Sequence, residues 1–270
     1  MIFHTPTILS KIGMVKINIF LCILFLFSSC TSSNKNIAPS TGSTVPDGFF
    51  VTPPQPAFLT IVGVSSRQLK RETEIENARI DAARKVSMYQ GVKGIFESEH
   101  NIGSGFWDYY VALDSKIEYD ENLEPYLEQL SYNQDRDVVL SDRGIFIRFT
   151  YPAIFPEHIV YSSDRNPDGK PVWINKPPRE FSGFTAGVGF SARQYRFQDT
   201  FVKSCEAAVI AIVNQLSTII TTRNVSSGYQ NTSITNQRSE GSLVNFVVLE
   251  IWIDPETQAV WTLAIAQSTN

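Results

Sequence analysis

The sequence predicts an α+β fold with two tandem similar domains, each an antiparallel sheet with one long helix packed on it in the order β-α-β-β-β. The first observation is an internal repeat, because residues 62–68 match residues 188–194 at five of seven positions with an offset of 126. The second is that a short apolar segment precedes each copy and a long helical pattern follows it. The third is that each half of the chain ends in two β-like segments joined by a turn. A repeat this long indicates domain-sized copies, and we expect the domains at 56–162 and 163–270.

Each predicted domain begins with a strand and a helix. Apolar segments at 58–62 and 184–188 predict the strands. In the first domain, apolar residues recur at spacings of three and four, the pattern of one helix face. They are Ile75, Ala78, Ala82, Val86 and Tyr89, and Gly91 and Gly94 are placed to end this helix. The second helix is more apolar, with a stripe of Phe201, Cys205, Ala208, Ile212 and Leu216, widened by Val202, Val209, Val213 and Ile220. Because Cys205 lies in that stripe, we expect it to be a core residue and not a nucleophile.

The later elements of each domain read as strands. Residues 243–253 and 260–266 form a predicted hairpin, in which Pro255 sets φ for the turn. Residues 138–140 and 145–151 form the corresponding pair in the first domain, and 109–113 and 228–235 add one predicted strand each. The segment 118–137 is extra and acidic, and we expect a solvated excursion with a short helix within 121–130.

Composition narrows the classes of function. The 270 residues are 43% hydrophobic with a formal charge of −4, which argues against a disordered chain. An acidic chain lacks the positive field that draws proteins to phosphate backbones, so we expect no nucleic-acid partner. Three cysteines are too few for a disulfide scaffold or for a zinc site made of cysteines alone.

The N-terminus carries a secretory pattern. Lys11 and Lys16 precede an apolar run at 19–27, which is too short to cross a bilayer and has the layout of a signal peptide. Phe27, Ser28, Ser29 and Cys30 then resemble a bacterial lipobox, with Phe27 where Leu is usual. That resemblance implies that the Cys30 thiol is diacylated and that Cys30 becomes the first mature residue. An ordinary cleaved signal or a buried N-terminal helix is the alternative, and translation starts at Met1 or Met14.

A lipidated Cys30 implies a different mature chain. Residues 1–29 are the signal peptide, and their removal lowers the formal charge to −6, because they hold two lysines and no acid. Residues 30–55 are the lipidated Cys and a flexible spacer rich in Ser, Thr, Asn, Pro and Gly. Cys205 is then the only unmodified thiol. We expect a membrane partner through the anchor on Cys30, in the bacterial cell envelope and at its outer membrane.

Several short motifs resemble the twenty-kilodalton membrane-associated lipoprotein family (Lpp-type). They include Trp173 with its flanking prolines, the Ala-Gly-Val-Gly run with Gly187 and Gly189, and the ending that begins at Trp252. The resemblance covers 171–266 fairly well and 56–151 loosely, and residues 77–84 are similar to the Ala-Arg helix of these proteins and of flagellar-associated outer-membrane lipoproteins. It implies two tandem copies, an envelope location and no catalytic residues. The motif residues shared by the copies or by the family are Gly63, Arg67, Trp173, Gly187, Gly189, Arg193 and Trp252.

Catalytic and cofactor motifs are weak. Residues 187–192 fit a dinucleotide fingerprint, but the required acid about 20 residues on falls inside a helix. His100 lies near Glu97 and Glu99, which is more typical of a solvated loop than of a metal site. His158 stands alone between the domains. Phe106, Trp107, Tyr109 and Tyr110 form an aromatic cluster that suits core packing, with a partner-facing patch as the alternative. We therefore expect no enzyme, no metal and no cofactor.

The expected function is structural or protein-interacting. We expect a non-catalytic, lipid-anchored envelope protein that binds other envelope proteins or further copies of itself. The alternative is a binding module that holds a small glycan or peptide in the cleft between the domains.

Overall fold

The computed structural model describes residues 45–46, 48–103, 109–155, 159–227 and 230–269. Residues 43–270 form one compact unit. The end of the expected flexible spacer at 30–55 belongs to it, because Phe49 and Thr52 are buried and the Thr52 amide donates to the Leu249 carbonyl at 2.8 Å. The strands of this unit are β1 Phe58–Ser66, β2 Val92–Gly103, β3 Tyr109–Tyr119, β4 Val138–Ser141, β5 Gly144–Pro152, β6 Glu180–Phe181, β7 Phe184–Ser191, β8 Thr218–Ser227, β9 Gln230–Ile253 and β10 Val260–Ser268. Its helices are α1 Arg71–Gln90, α2 Glu124–Leu127, α3 Val172–Asn175 and α4 Phe197–Leu216. Two antiparallel sheets with packed helices confirm the α+β class. No helix among the described residues is long and apolar enough to cross a membrane.

The smaller sheet has three antiparallel strands in the order β1-β5-β4. Helix α1 covers one face, and its predicted stripe is confirmed, since Ala78, Ala82 and Val86 are fully buried against this sheet. Gly91 follows the helix with an extended φ of 175°, so it ends α1 without a left-handed turn. Gly94, which was also expected near the helix end, lies inside β2 instead.

The larger sheet has seven strands. Its main order is β3-β2-β9-β10-β7-β6, and β8 pairs with the first half of β9. Helix α4 packs on one face, where Ala208 and Ile212 meet Phe246 and Ala264. The predicted hairpin is β9–β10, but the strand expected at 228–235 is the start of the same 24-residue β9. Ile220, which was expected on the helix, lies in β8 because α4 ends at Leu216.

The structure does not confirm the layout of two tandem domains. Strands β2 and β3 belong to the predicted first domain, yet β2 pairs with β9 over residues 92–103 and 232–243. The β2–β3 hairpin therefore lies in the larger sheet, and one sheet for each repeat was the wrong expectation. The physical reason is that β2 gains a full ladder of backbone hydrogen bonds along β9, which the short β4 cannot offer.

The acidic excursion contains the expected short helix, α2 at Glu124–Leu127. It is less solvated than expected, because Leu130 is buried and Leu123, Tyr126 and Leu127 pack against the core. The segment therefore contributes to the apolar cluster beneath α1.

Candidate functional site

The repeated seven-residue segment forms the same strand-to-helix contact in both halves. A Cβ on Gly63 would lie 2.1 Å from the Ala78 carbonyl oxygen, and one on Gly189 would lie 1.9 Å from that of Ser204. Gly189 and Ser204 each lie 126 positions after Gly63 and Ala78, so the two contacts are equivalent in the repeat. Only glycine lets strand and helix approach this closely.

Hydrogen bonds after these glycines repeat as well. The amide of Gln68 donates to Glu74 Oε1 at 2.8 Å, and that of Gln194 donates to Thr200 Oγ1 at 3.0 Å. Each acceptor is a buried side chain in the first turn of the following helix. The motif thus fixes how each strand turns into its helix.

The same packing explains the apparent dinucleotide fingerprint. A Cβ on Gly187 would lie 2.6 Å from Ile212 Cγ1 and 2.7 Å from the Ala208 carbonyl oxygen. This side of the segment is filled by α4, so its glycines serve helix packing and leave no space for a pyrophosphate.

A second buried polar cluster joins α1 to β1. Asp81 and Lys85 are 1% and 6% exposed, and Lys85 Nζ lies 2.7 Å from Asp81 Oδ2. Lys85 also donates to the Val62 carbonyl at 2.6 Å, while the Val64 amide donates to Asp81 at 2.9 Å. The pair therefore satisfies backbone groups on the side of β1 that faces away from β5, and it protects an otherwise open strand edge.

Among the described residues, Glu250 has an unusually large set of hydrogen-bond donors, and the sequence analysis did not single it out. It is the only charged residue in the apolar run 243–253, and it is completely buried. Ser163 donates to its Oε1 at 2.8 Å and Trp173 Nε1 donates to its Oε2 at 2.7 Å. Arg165 and the Tyr161 hydroxyl also donate to it. A lone carboxylate inside a buried strand was the signal available in the sequence, because such a charge must find partners.

All four donors come from the connection between the smaller sheet and β7. Burial, and then the hydrogen bond to Glu250, raise the pKa of Tyr161 far above its usual range. The four donors occupy the acceptor positions of the carboxylate. Glu250 therefore holds this connection to the sheet.

An open groove of about 830 Å³ lies beside this cluster. Trp252 lines it, and Lys170 Nζ lies 5.9 Å from the Trp252 ring centroid and 5.8 Å from that of Trp261. The remaining lining side chains are mainly apolar, with Ser163, Arg165 and Asp168 at the polar side. Trp173 and Trp252, both singled out by sequence, are thus brought to one region.

The other candidates do not form a site. Glu97, Glu99 and His100 lie in β2 and not in the solvated loop that was expected, because β2 pairs with β9 along this stretch. Glu97 pairs with Arg238 at 2.8 Å, and no cluster of three or more His, Cys, Asp or Glu in the described part of the chain could hold a metal. Cys205 is buried as expected, and burial raises its pKa to about 12. Tyr109 and Tyr110 begin β3. Phe27, Ser28, Ser29, Cys30, Phe106, Trp107 and His158 lie outside the described residues.

Comparison with known proteins found no matching family, no similar curated protein and no similar solved structure. The resemblance to the lipoprotein family therefore stays a prediction from the motifs.

Proposed function

We propose that this chain is a lipid-anchored lipoprotein of the bacterial cell envelope, at its outer membrane, with a structural or protein-interaction role and no catalytic activity. The observation that carries the proposal is the order of Lys11 and Lys16, the apolar run at 19–27 and the lipobox-like end at Cys30. Two or three acyl chains on one cysteine give stable anchoring, whereas one chain is marginal.

The anchor is tested by Cys30→Ala, with Cys22→Ala as the matched control inside the same signal. We expect Cys30→Ala to abolish palmitate labelling and release the protein from membranes, while Cys22→Ala leaves both unchanged. Membrane retention and labelling that survive Cys30→Ala would refute the anchor.

A non-catalytic role is supported by the use of the buried charges. Glu250 and Asp81 are the kind of desolvated carboxylates that active sites employ. Here each carboxylate accepts hydrogen bonds from neighbouring elements, so each stabilises the fold.

An interaction role with further copies of the chain is supported by β3 and β8. Strand β3 has 11 residues and β8 has 10, and in the described chain neither has a partner on its outer side. Because every pairing from β3 through β2 and β9 to β8 is antiparallel, β3 and β8 run in opposite directions. Strand β3 of one copy can therefore extend the antiparallel sheet at β8 of the next.

Light scattering on a chain that starts at Thr31 tests this association. The Ser115 amide donates to Asp114 Oδ1 at 2.8 Å, so Ser115→Pro spares the pairing with β2. We expect oligomers for the unaltered chain and monomers for Ser115→Pro. A strict monomer at high concentration would contradict self-association.

We also propose that residues 56–162 and 163–270 are two tandem copies of one ancestral unit that now share a sheet. The supporting contacts are those of Gly63 and Gly189, which recur at the same offset as the sequence repeat. The shared β2–β9 ladder predicts that the two halves, expressed separately, are insoluble alone and recover a common fold when expressed together.

The second candidate function is a binding module, and the groove beside Trp252 favours it. A volume of about 830 Å³ suits a short glycan or peptide, and an aromatic side chain such as Trp252 can pack against the apolar face of a sugar ring. Titration with short glycans and peptides while tryptophan fluorescence is recorded tests this function. Saturable quenching that Trp252→Ala removes would support it, and unchanged fluorescence would exclude it.

A further inference from the structure

We propose that one end of the molecule, the strand-exit tip, docks on an anionic lipid surface and inserts Leu69 and Tyr195 into it. The tip comprises residues 66–71, Arg143 and residues 193–196. The inference deepens the proposed function, on which it rests for the presence of a nearby membrane. It concerns the orientation of the body and not the anchor itself.

The two insertion residues are equivalent positions of the repeat. Leu69 and Tyr195 are separated by 126 residues, and each follows the repeated pair of Arg and Gln within its copy. Both side chains are fully exposed, at 106% and 101%. No other exposed large hydrophobic side chain among the described residues exceeds 88%.

The two loops lie next to each other at one end of the protein. The Gln198 amide donates to Ser66 Oγ at 2.9 Å, which joins the second loop to the first. The Arg67 amide donates to the Arg143 carbonyl at 2.8 Å. Burial, and then the like charge of Arg193, lower the pKa of Arg143, which places Arg193 near it. Leu69 and Tyr195 can therefore meet one surface together.

Basic side chains surround both apolar residues. The tip carries six of them, namely Arg67, Lys70, Arg71, Arg143, Arg193 and Arg196. Arg67 and Arg71 pair with the buried Glu74, whereas the other four form no ion pair among the described residues. Over residues 65–74, 141–144 and 191–200, Glu74 included, the formal charge is +2, in a chain of −4. The adjacent turn at 254–259, which Arg143 contacts through Gln258, holds two acids, Asp254 and Glu256, and lies outside the tip.

This arrangement fits a lipid surface better than a protein partner. Protein interfaces need a contiguous, largely apolar centre. Here the neighbours Arg67, Gln68 and Lys70 of Leu69 are exposed and polar. Isolated apolar side chains within a ring of Lys and Arg are the pattern of interfacial insertion into anionic bilayers.

The entry of the chain into the body supports the same orientation. Phe50 lies 5.0 Å from Phe146, which in turn lies 5.4 Å from Phe197, directly after Arg196. The described segment around Phe50 therefore packs beside the tip.

Vesicle co-sedimentation of a chain that starts at Thr31 tests the proposal without the lipid anchor. Every described element lies in the compact unit at 43–270, so this chain keeps them all. Phosphatidylcholine vesicles with and without phosphatidylglycerol are the probes. We expect binding only with phosphatidylglycerol, and about tenfold weaker binding for the double variant Leu69→Ser, Tyr195→Ser. Arg193→Gln should weaken binding about fivefold.

The matched control is the double variant Ile154→Ser, Val160→Ser. These side chains are 88% and 78% exposed, and Ile154 follows the end of β5 opposite the tip. We expect wild-type binding from this control. Thermal melts check that all variants keep the fold.

The proposal is overturned if binding does not depend on phosphatidylglycerol, or if the tip and control variants bind alike. It is also overturned if the tip variant changes the oligomeric state in light scattering and leaves vesicle binding unaltered, which would assign the tip to a protein contact. Since the assay uses no acylated protein, its failure is distinct from a failure of the Cys30 anchor.

Discussion

Replacing the carboxylate of Glu250 by an amide tests whether this residue fastens the inter-repeat connection to the larger sheet. The side chain is fully buried and accepts hydrogen bonds from Tyr161, Ser163, Arg165 and Trp173. Glu250→Gln keeps the shape but turns one acceptor oxygen into a donor NH₂ group. Whichever oxygen becomes the NH₂ group, one N–H donor, Trp173 or Arg165, then faces another donor, and Arg165 loses its counter-charge.

The expected cost follows from these losses. Breaking a buried ion pair by removing one partner costs about 3–5 kcal/mol, and an unsatisfied buried donor costs about 1–3 kcal/mol. The Arg165 side chain is 36% exposed, so solvent screens part of its loss. We therefore expect Glu250→Gln to lower the free energy of unfolding by about 3 kcal/mol.

Urea unfolding followed by tryptophan fluorescence measures this change. The matched control is Glu240→Gln on the same strand, because Glu240 is 39% exposed and forms only surface ion pairs. We expect the control to cost less than about 1 kcal/mol. Trp173→Phe removes a single donor and should cost about 1–2 kcal/mol. Equal midpoints for Glu250→Gln and Glu240→Gln would refute the role assigned to Glu250.

Three further predictions concern the core. Gly189→Ala should destabilise the protein by about 3 kcal/mol, because its Cβ would lie 1.9 Å from a backbone oxygen of α4, whereas Gly91→Ala meets open space and should melt like wild type. Lys85→Met should also cost about 3 kcal/mol in urea unfolding, since Asp81 loses its buried counter-charge; a change below 1 kcal/mol would contradict this. Cys205 is buried and its burial raises the pKa of the thiol, so alkylation at pH 8 should proceed only at the rate of unfolding, and fast labelling of the folded protein would count against its burial.

The local features of the fold were predictable because their causes are local. The helix face of Ala78, Ala82 and Val86 follows from apolar periodicity. The repeated strand exit at Gly63 and Gly189 follows from a short motif whose tightest contacts, with the carbonyl oxygens of Ala78 and Ser204, lie 15 residues further along the chain. These elements were placed correctly without knowledge of any distant partner.

Sheet membership was not predictable, for a physical reason. Strand β2 and the first half of β9 are polar on much of both faces, so alternation does not say which strands they join. The continuity of β9 and its capture of the β2–β3 hairpin follow from backbone ladders between segments about 140 residues apart. The predicted division into one sheet for each repeat failed at this point.

The sequence by itself determined the signal-like N-terminus, the repeat, the faces of the two long helices and the burial of Cys205. Each of these features depends on a pattern of residues that are close together in the sequence. Only the tertiary structure decided which sheet each strand joins, gathered the donors of Glu250 from 77 to 89 positions away, and linked the two repeated strand exits through the bond from Gln198 to Ser66. A buried carboxylate must be hydrogen-bonded or paired, even if its partners are distant in sequence. Which partners are close enough depends on how the two sheets pack together, and this is a property of the tertiary structure.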